Sequence, residues 1–201
     1  AGYYFLFYPS NFRSIYYYLR HRQGNSVWRS FVKVYQTYFR FGQTIIDKVA
    51  ISAGLRNRFT YEFDGIEHLQ EALAAEKGGI LISAHVGNFE IAEKFFADID
   101  LNFQINLVTV DQERTIIKEY IEQISEKSSV KFIYIKEDMS HVFEINDALS
   151  NNELICFTGD RYFEGSKTLE APLLDELAVF PAGPFHIASR LAVPAIFVEV
   201  M

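Results

Sequence analysis

The sequence predicts an α/β protein, with a mostly parallel central sheet flanked by helices and an N-terminal amphipathic helical extension. Three observations lead there. After residue 60, short runs rich in Ile, Val, Leu and Phe alternate with helical stretches, the pattern of a parallel sheet covered on both faces. Before residue 60 the periodicity is long and helical. A chain of 201 residues has room for one main core and an extension rather than two full domains. The expected division is therefore 1–59, a helical segment, and 60–201, the α/β domain.

Taken in order, residues 1–8 are a short apolar run stopped by Pro9. With no basic stretch ahead of it and no small-residue cleavage site, this is not a signal peptide, and it can be the end of a longer anchor. From Val27 onward, Phe31, Tyr35, Tyr38, Ile45 and Val49 recur at helical spacing, with Arg29, Lys33 and Arg40 on the opposite side. Strands are expected at 60–64, 79–84, 105–110, 130–135, 154–158 and 195–200, and helices at 66–76, 88–98, 112–127, 140–150 and 184–191. The last residues, AIFVEVM, are an apolar strand without a turn or polar tail, so a further C-terminal portion is expected.

Composition narrows the function classes. With 49% apolar and 22% charged residues the chain is folded rather than disordered or collagenous. Cys156 is alone, which removes both a cystine scaffold and a zinc finger, and no metal site is expected. No apolar run approaches the roughly 20 residues needed to span a bilayer. The net charge of −7 conceals a division, because residues 1–61 hold nine Lys or Arg and one acid, a net of +8. Fifteen of the 32 aromatic residues fall in the first 41. Aromatic and cationic side chains together suit an anionic membrane surface. A nucleic-acid partner is not expected, since no RNP-like strand, zinc knuckle or recognition helix accompanies the charge.

The chemistry concentrates in GGILISAHVGNFEIAEKF, residues 78–95. A strand runs into His85, Gly87 permits a tight turn, and Asn88 can cap a helix whose first turn holds Glu90. His85 and Glu90 then meet at the carboxyl end of a strand, where open α/β sheets place their ligands. A histidine oriented by a carboxylate can take a proton from a hydroxyl. Ser83 lacks the G-x-S-x-G frame of a nucleophile elbow, and Cys156 sits inside the apolar run LICFT, so neither offers a covalent route.

AHVGNFE resembles the His-x-x-x-x-acid motif of the lysophospholipid acyltransferase superfamily, in the form found in its bacterial lipid A late acyltransferase branch. FDGIEHLQEAL, FTGDRYF and FPAGPFHIASRLAVPAIFV extend the resemblance in the same order over most of the chain. It implies transfer of a fatty acyl group from a thioester co-substrate, acyl carrier protein or coenzyme A, to a hydroxyl or amine of a lipid or lipid-like acceptor. No other cofactor is implied. The matching positions make His85 the general base and Glu90 its orienting acid. Asn88, Gly159, Asp160, Arg161, Phe180, Pro181 and Gly183 become substrate-binding residues, Arg161 toward phosphate. The implied location is the cytoplasmic face of a bacterial inner membrane.

Two positions depart from the branch. Gly159-Asp160-Arg161 stands where lipid A enzymes carry Pro-Asp-Gln, and LLDELA at 173–178 lacks a glycine, so the acceptor stays open. Plainer readings stand beside these. Arg161 can be an ion-pair partner of Asp160 or Glu164, Asp160 can serve only to hold its loop, and FPAGP can be a proline-stiffened turn. Arg114, His21, His68, His141 and His186 read as structural or surface residues. A hydrolase on the same scaffold and a non-catalytic lipid-binding protein are the alternatives to acyl transfer.

Overall fold

A computed structural model of the chain describes residues 9–87, 104–110 and 130–200. The chain divides into two compact units, Ala1–Phe59 and Thr60–Met201.

In the first unit, helix α1 (Pro9–Tyr17) runs into a π-helical turn over Tyr18–Arg22 and returns as the long helix α2 (Val27–Ser52). Ser26 caps α2 by accepting from the Arg29 N–H. The turn is held by Asn25, whose Nδ2 donates to the Leu19 carbonyl at 2.9 Å. Leu19, Val34 and Tyr38 form the hairpin core, with Phe12, Ile15 and Tyr16 against them. The single apolar face read from the spacing is thus divided: Tyr38 is buried, whereas Phe31, Tyr35, Ile45 and Val49 are exposed. A 26-residue helix carries more apolar surface than one nine-residue partner covers.

In the second unit, α3 (Ile66–Ala74) precedes a five-stranded sheet built from β1 (Gly79–Gly87), β2 (Ile105–Val110), β3 (Val130–Ile135), β4 (Leu154–Thr158) and β7 (Ala195–Val200). Its order is β3-β2-β4-β1-β7 and every pairing is parallel. Helix α4 (Ser140–Ser150) connects β3 to β4. A separate antiparallel hairpin, β5 (Thr168–Leu173) and β6 (Glu176–Pro181), leads into α5 (Gly183–Leu191).

The strands read as continuous apolar runs because both faces are covered. On one face Ile80, Ile82, Val108, Ile133, Ile155 and Phe157 pack with Ile145, Ala148 and Leu149 of α4 and with Phe185 and Ile187 of α5. On the other, Leu81 and Leu154 meet Leu69 and Leu73 of α3, with Cys156 beside them.

Two readings of the strands change. Residues 60–64 form no ladder; Tyr61 and Phe63 meet edge to face at 5.3 Å, and their alternation reports side chains that share a side rather than a backbone partner. The β5–β6 hairpin lies in a stretch with two prolines and a Leu174-Asp175 turn in place of Asn-Gly, both turn residues having positive φ. Helices expected at 88–98 and 112–127 lie outside the described residues.

Ile155 is wholly buried in a strand with neighbours on both sides. Ile155→Ala is expected to cost about 2–5 kcal/mol of unfolding free energy, read from urea denaturation.

Candidate active site

Strand β4 lies between β1 and β2, so the carboxyl ends of β1 and β4 are adjacent. The ladder between them pairs Ser83 with Thr158 and continues one step further, where the Gly159 N–H donates to the Ser83 carbonyl at 2.7 Å. This close approach needs glycine: a Cβ at 159 would stand 2.7 Å from Ile82 Cγ2. At the next step the backbone partner is replaced by a side chain. The His85 N–H donates to Asp160 Oδ2 at 3.0 Å, and the His85 ring meets Asp160 Oδ1 through Nδ1 at 2.8 Å.

On its other edge β1 pairs with β7 up to Ser83↔Val198, then irregularly at Gly87↔Val200. Four steps along β1 therefore oppose two along β7, and His85 lies within that bulge. Bulges re-aim side chains at the ends of strands. Gly87 closes the strand at φ +62, a conformation glycine adopts without strain.

The carboxylate fixes the chemistry of the ring. An ionised Asp160 accepts the Nδ1 proton, which leaves the basic lone pair on Nε2. Partial burial acts to raise the Asp160 pKa. The hydrogen bonds from the His85 ring and N–H, with the electrostatic attraction of the ring, outweigh it and hold the carboxyl below its ordinary 3.8. Both side chains are 28% exposed, shielded enough to keep their bond and open enough to meet a substrate.

Beside the pair is a cavity of about 190 Å³. Ile82, Phe180, Phe185, Phe197 and Val198 supply its apolar wall, and Gly159 and Asp160 also line it. It is larger than the roughly 150 Å³ apolar cavity that holds a benzene ring.

The residues singled out in the sequence fall into three groups. His85, Gly159, Asp160 and Phe180 are brought together. Gly159 and Asp160 line the cavity, with the Gly159 N–H bonded to Ser83 and both Asp160 oxygens to His85. Arg161 is two-thirds exposed, its Nε 3.9 Å from Asp160 Oδ2, a long pairing that leaves the guanidinium facing solvent. Pro181 ends β6 and Gly183 begins α5; neither lines the cavity, while Phe185, which was not singled out, does. Glu90, Asn88 and Arg114 lie outside the described residues. Among the described residues the acid that meets the His85 ring is Asp160, 75 positions away.

The plainer assignments also have partners. Ser83 Oγ donates to the Phe157 carbonyl at 3.4 Å, and His141, buried, accepts the Lys136 N–H on Nδ1. Among the described residues no group of three or more His, Cys, Asp or Glu could hold a metal ion.

A family model described as bacterial lipid A biosynthesis acyltransferase matches residues 28–200. The chain belongs to that family. No curated protein matches it significantly. The matched span takes in α2 and every described strand, so the His85–Asp160 pair lies inside the part of the chain that defines a lipid A acyltransferase-family protein. Among the described residues, no helix is long and apolar enough to cross a membrane.

The depressed Asp160 pKa has a sign. As pH falls the unfolded chain takes up this proton first, so the contribution is complete above the ordinary aspartate value and is lost as pH drops through the folded-state one. Wild type is therefore expected to exceed Asp160→Asn in stability near neutral pH, and the gap to narrow below the ordinary aspartate value, as measured by urea denaturation at the two conditions.

Proposed function

We propose that this protein transfers a fatty acyl group from a thioester donor, acyl carrier protein or coenzyme A, to a hydroxyl or amine of a lipid-like acceptor. The observation that carries this reading is the His85–Asp160 bond at two adjacent strand ends beside an apolar cavity. Membership of the acyltransferase family supports it.

In the proposed step, His85 Nε2 takes the proton of the acceptor O–H or N–H as that atom attacks the thioester carbonyl. Asp160 stabilises the imidazolium that forms. The tetrahedral intermediate then collapses, the C–S bond breaks, and the leaving sulfur takes the proton from Nε2. No enzyme nucleophile is required. Helix α5 begins three positions after Phe180, and of its first three residues only Gly183 and Phe185 carry an N–H; the Phe185 N–H, from the one of them that lines the cavity, suits the developing oxyanion.

The donor's acyl chain fits the cavity, where each methylene taken from water contributes about 0.8 kcal/mol. Phe185 faces this space from α5, so it limits the chain that enters.

The test supplies labelled acyl thioester with and without lipid acceptors. Acylated lipid is the expected product. Free fatty acid released regardless of acceptor, with no acylated lipid, would mean a hydrolase. His85→Ala and Asp160→Asn are each expected to lower transfer by about 10²- to 10⁴-fold while remaining folded. Full activity in both variants overturns the mechanism. Phe185→Leu is expected to shift preference toward longer acyl chains by about tenfold or more in competition between donors of different length.

A further inference from the structure

The cavity beside His85 carries a second carboxylate, which the proposed transfer leaves unused. Glu199 of β7 lies on its wall. The register of the sheet brings it there. Ser83 pairs with Val198 and Gly87 with Val200, so Glu199 is the β7 residue opposite the irregular stretch of β1 that holds His85. Side chains alternate along a strand. Ile196 and Val198 pack on the side of Leu69 and Leu73, while Phe197 turns to the other face, its ring 6.4 Å from that of Phe185. Glu199, two positions on, shares the face of Phe197, where Phe185 walls the cavity.

The polar groups on this wall differ in what they have left to offer. Asp160 gives both oxygens to His85, the Gly159 N–H bonds the Ser83 carbonyl, and Ser83 Oγ donates to the Phe157 carbonyl. The Glu199 carboxylate makes no hydrogen bond or ion pair among the described residues, and no described Lys or Arg lines the cavity. Arg161 stands on the opposite flank, beyond β4, with its guanidinium toward solvent. His85 therefore lies between a positive flank at β4 and a negative one at β7. An uncommitted carboxylate at the edge of an apolar pocket favours a group that brings hydrogen-bond donors and positive charge.

We propose that Glu199 recognises the acceptor, pairing its carboxylate with an ammonium a few bonds from the hydroxyl whose proton His85 takes. Neighbouring strands lie about 4.8 Å apart, so the groups met by β1 and β7 belong to one headgroup, that of an amino alcohol with a hydrocarbon chain. The acidic α/β unit attracts such a cation, whereas a phosphate at the same position meets a like charge. The place of Glu199 in a reaction rests on the acyl-transfer reading; its recognition of a cation does not.

Two measurements on the full chain test this. The first supplies a labelled acyl thioester with three acceptors in mixed micelles: N,N-dimethylsphinganine, 1-O-octadecylglycerol and lysophosphatidic acid. The dimethylated nitrogen stays protonated and cannot itself be acylated, so it reports recognition alone. Wild type is expected to favour dimethylsphinganine over the neutral diol by about tenfold in kcat/KM, and over the anionic lipid by more. Glu199→Gln is expected to abolish that preference through KM, and Glu199→Asp to keep part of it. The second measurement needs no transfer. Equilibrium dialysis compares octylammonium, octanol and octanoate, with octylammonium expected to bind in excess to wild type and to lose that excess in Glu199→Gln. Circular dichroism checks that the variants stay folded.

Four results overturn the proposal: equal kcat/KM for dimethylsphinganine and the diol in wild type, a preference for lysophosphatidic acid, a cation preference that survives Glu199→Gln, or a Glu199→Gln variant that loses kcat equally with all three acceptors. The last would assign Glu199 to guarding the strand edge. Octylammonium binding that depends on Glu199, with no acylated lipid from any acceptor, supports the recognition and sinks the transfer. Acylated lipid made without any cation preference does the reverse.

Discussion

One bidentate contact joins two strand ends of the second unit: the Asp160 carboxylate accepts from the backbone of His85 through one oxygen and meets its ring nitrogen through the other. It sits where the parallel ladder between β1 and β4 runs out, so the carboxylate takes the place of the next backbone carbonyl. That substitution converts a structural hydrogen bond into an electrostatic one. A charged acceptor makes a stronger bond than a neutral carbonyl, and the same charge that holds the strand end also sets the imidazole tautomer.

The surrounding features serve that contact. Gly159 lets β4 approach Ile82 closely enough for Asp160 to arrive in register. The register of β1 against β7 shifts between Ser83 and Gly87, which places His85 outside the regular ladder. Phe180 and Phe185, on either side of the FPAGP turn, contribute to an apolar cavity that Asp160 also lines. A polar pair beside an apolar pocket suits the transfer proposed above, in which a polar acceptor attacks a carbonyl that carries a hydrocarbon chain.

The two units divide the physical tasks. Residues 1–61 are basic and aromatic, and α2 leaves an apolar seam exposed after its hairpin contact is made. The α/β unit is acidic overall and buries its apolar residues on both faces of the sheet. Exposed apolar area of the kind on α2 costs solubility unless something covers it, whereas the sheet needs no further partner for its core.

Much of the sheet was legible, because a strand buried on both faces must be apolar throughout, and β2, β3, β4 and β7 fall where their Ile, Val, Leu and Phe runs lie. His85 was legible for a related reason: a polar residue ending such a run, followed by glycine, marks a strand end. The β5–β6 hairpin was not, since its prolines and its Leu-Asp turn lack the usual local chemistry and only backbone pairing reveals it. Nor was the contact of Asp160 with His85. Spacing along the chain favours nearby residues such as Glu90, which lies outside the described residues, while the described acid that meets the ring follows another strand. By itself the sequence determined the composition of each unit, the apolar runs that become strands and the histidine that follows one of them, because these depend on local pattern. Tertiary structure decided that Asp160 meets that histidine, which aromatic rings wall the cavity and which face of α2 stays exposed, because each is a meeting of segments whose separation along the chain carries no information about their distance in space.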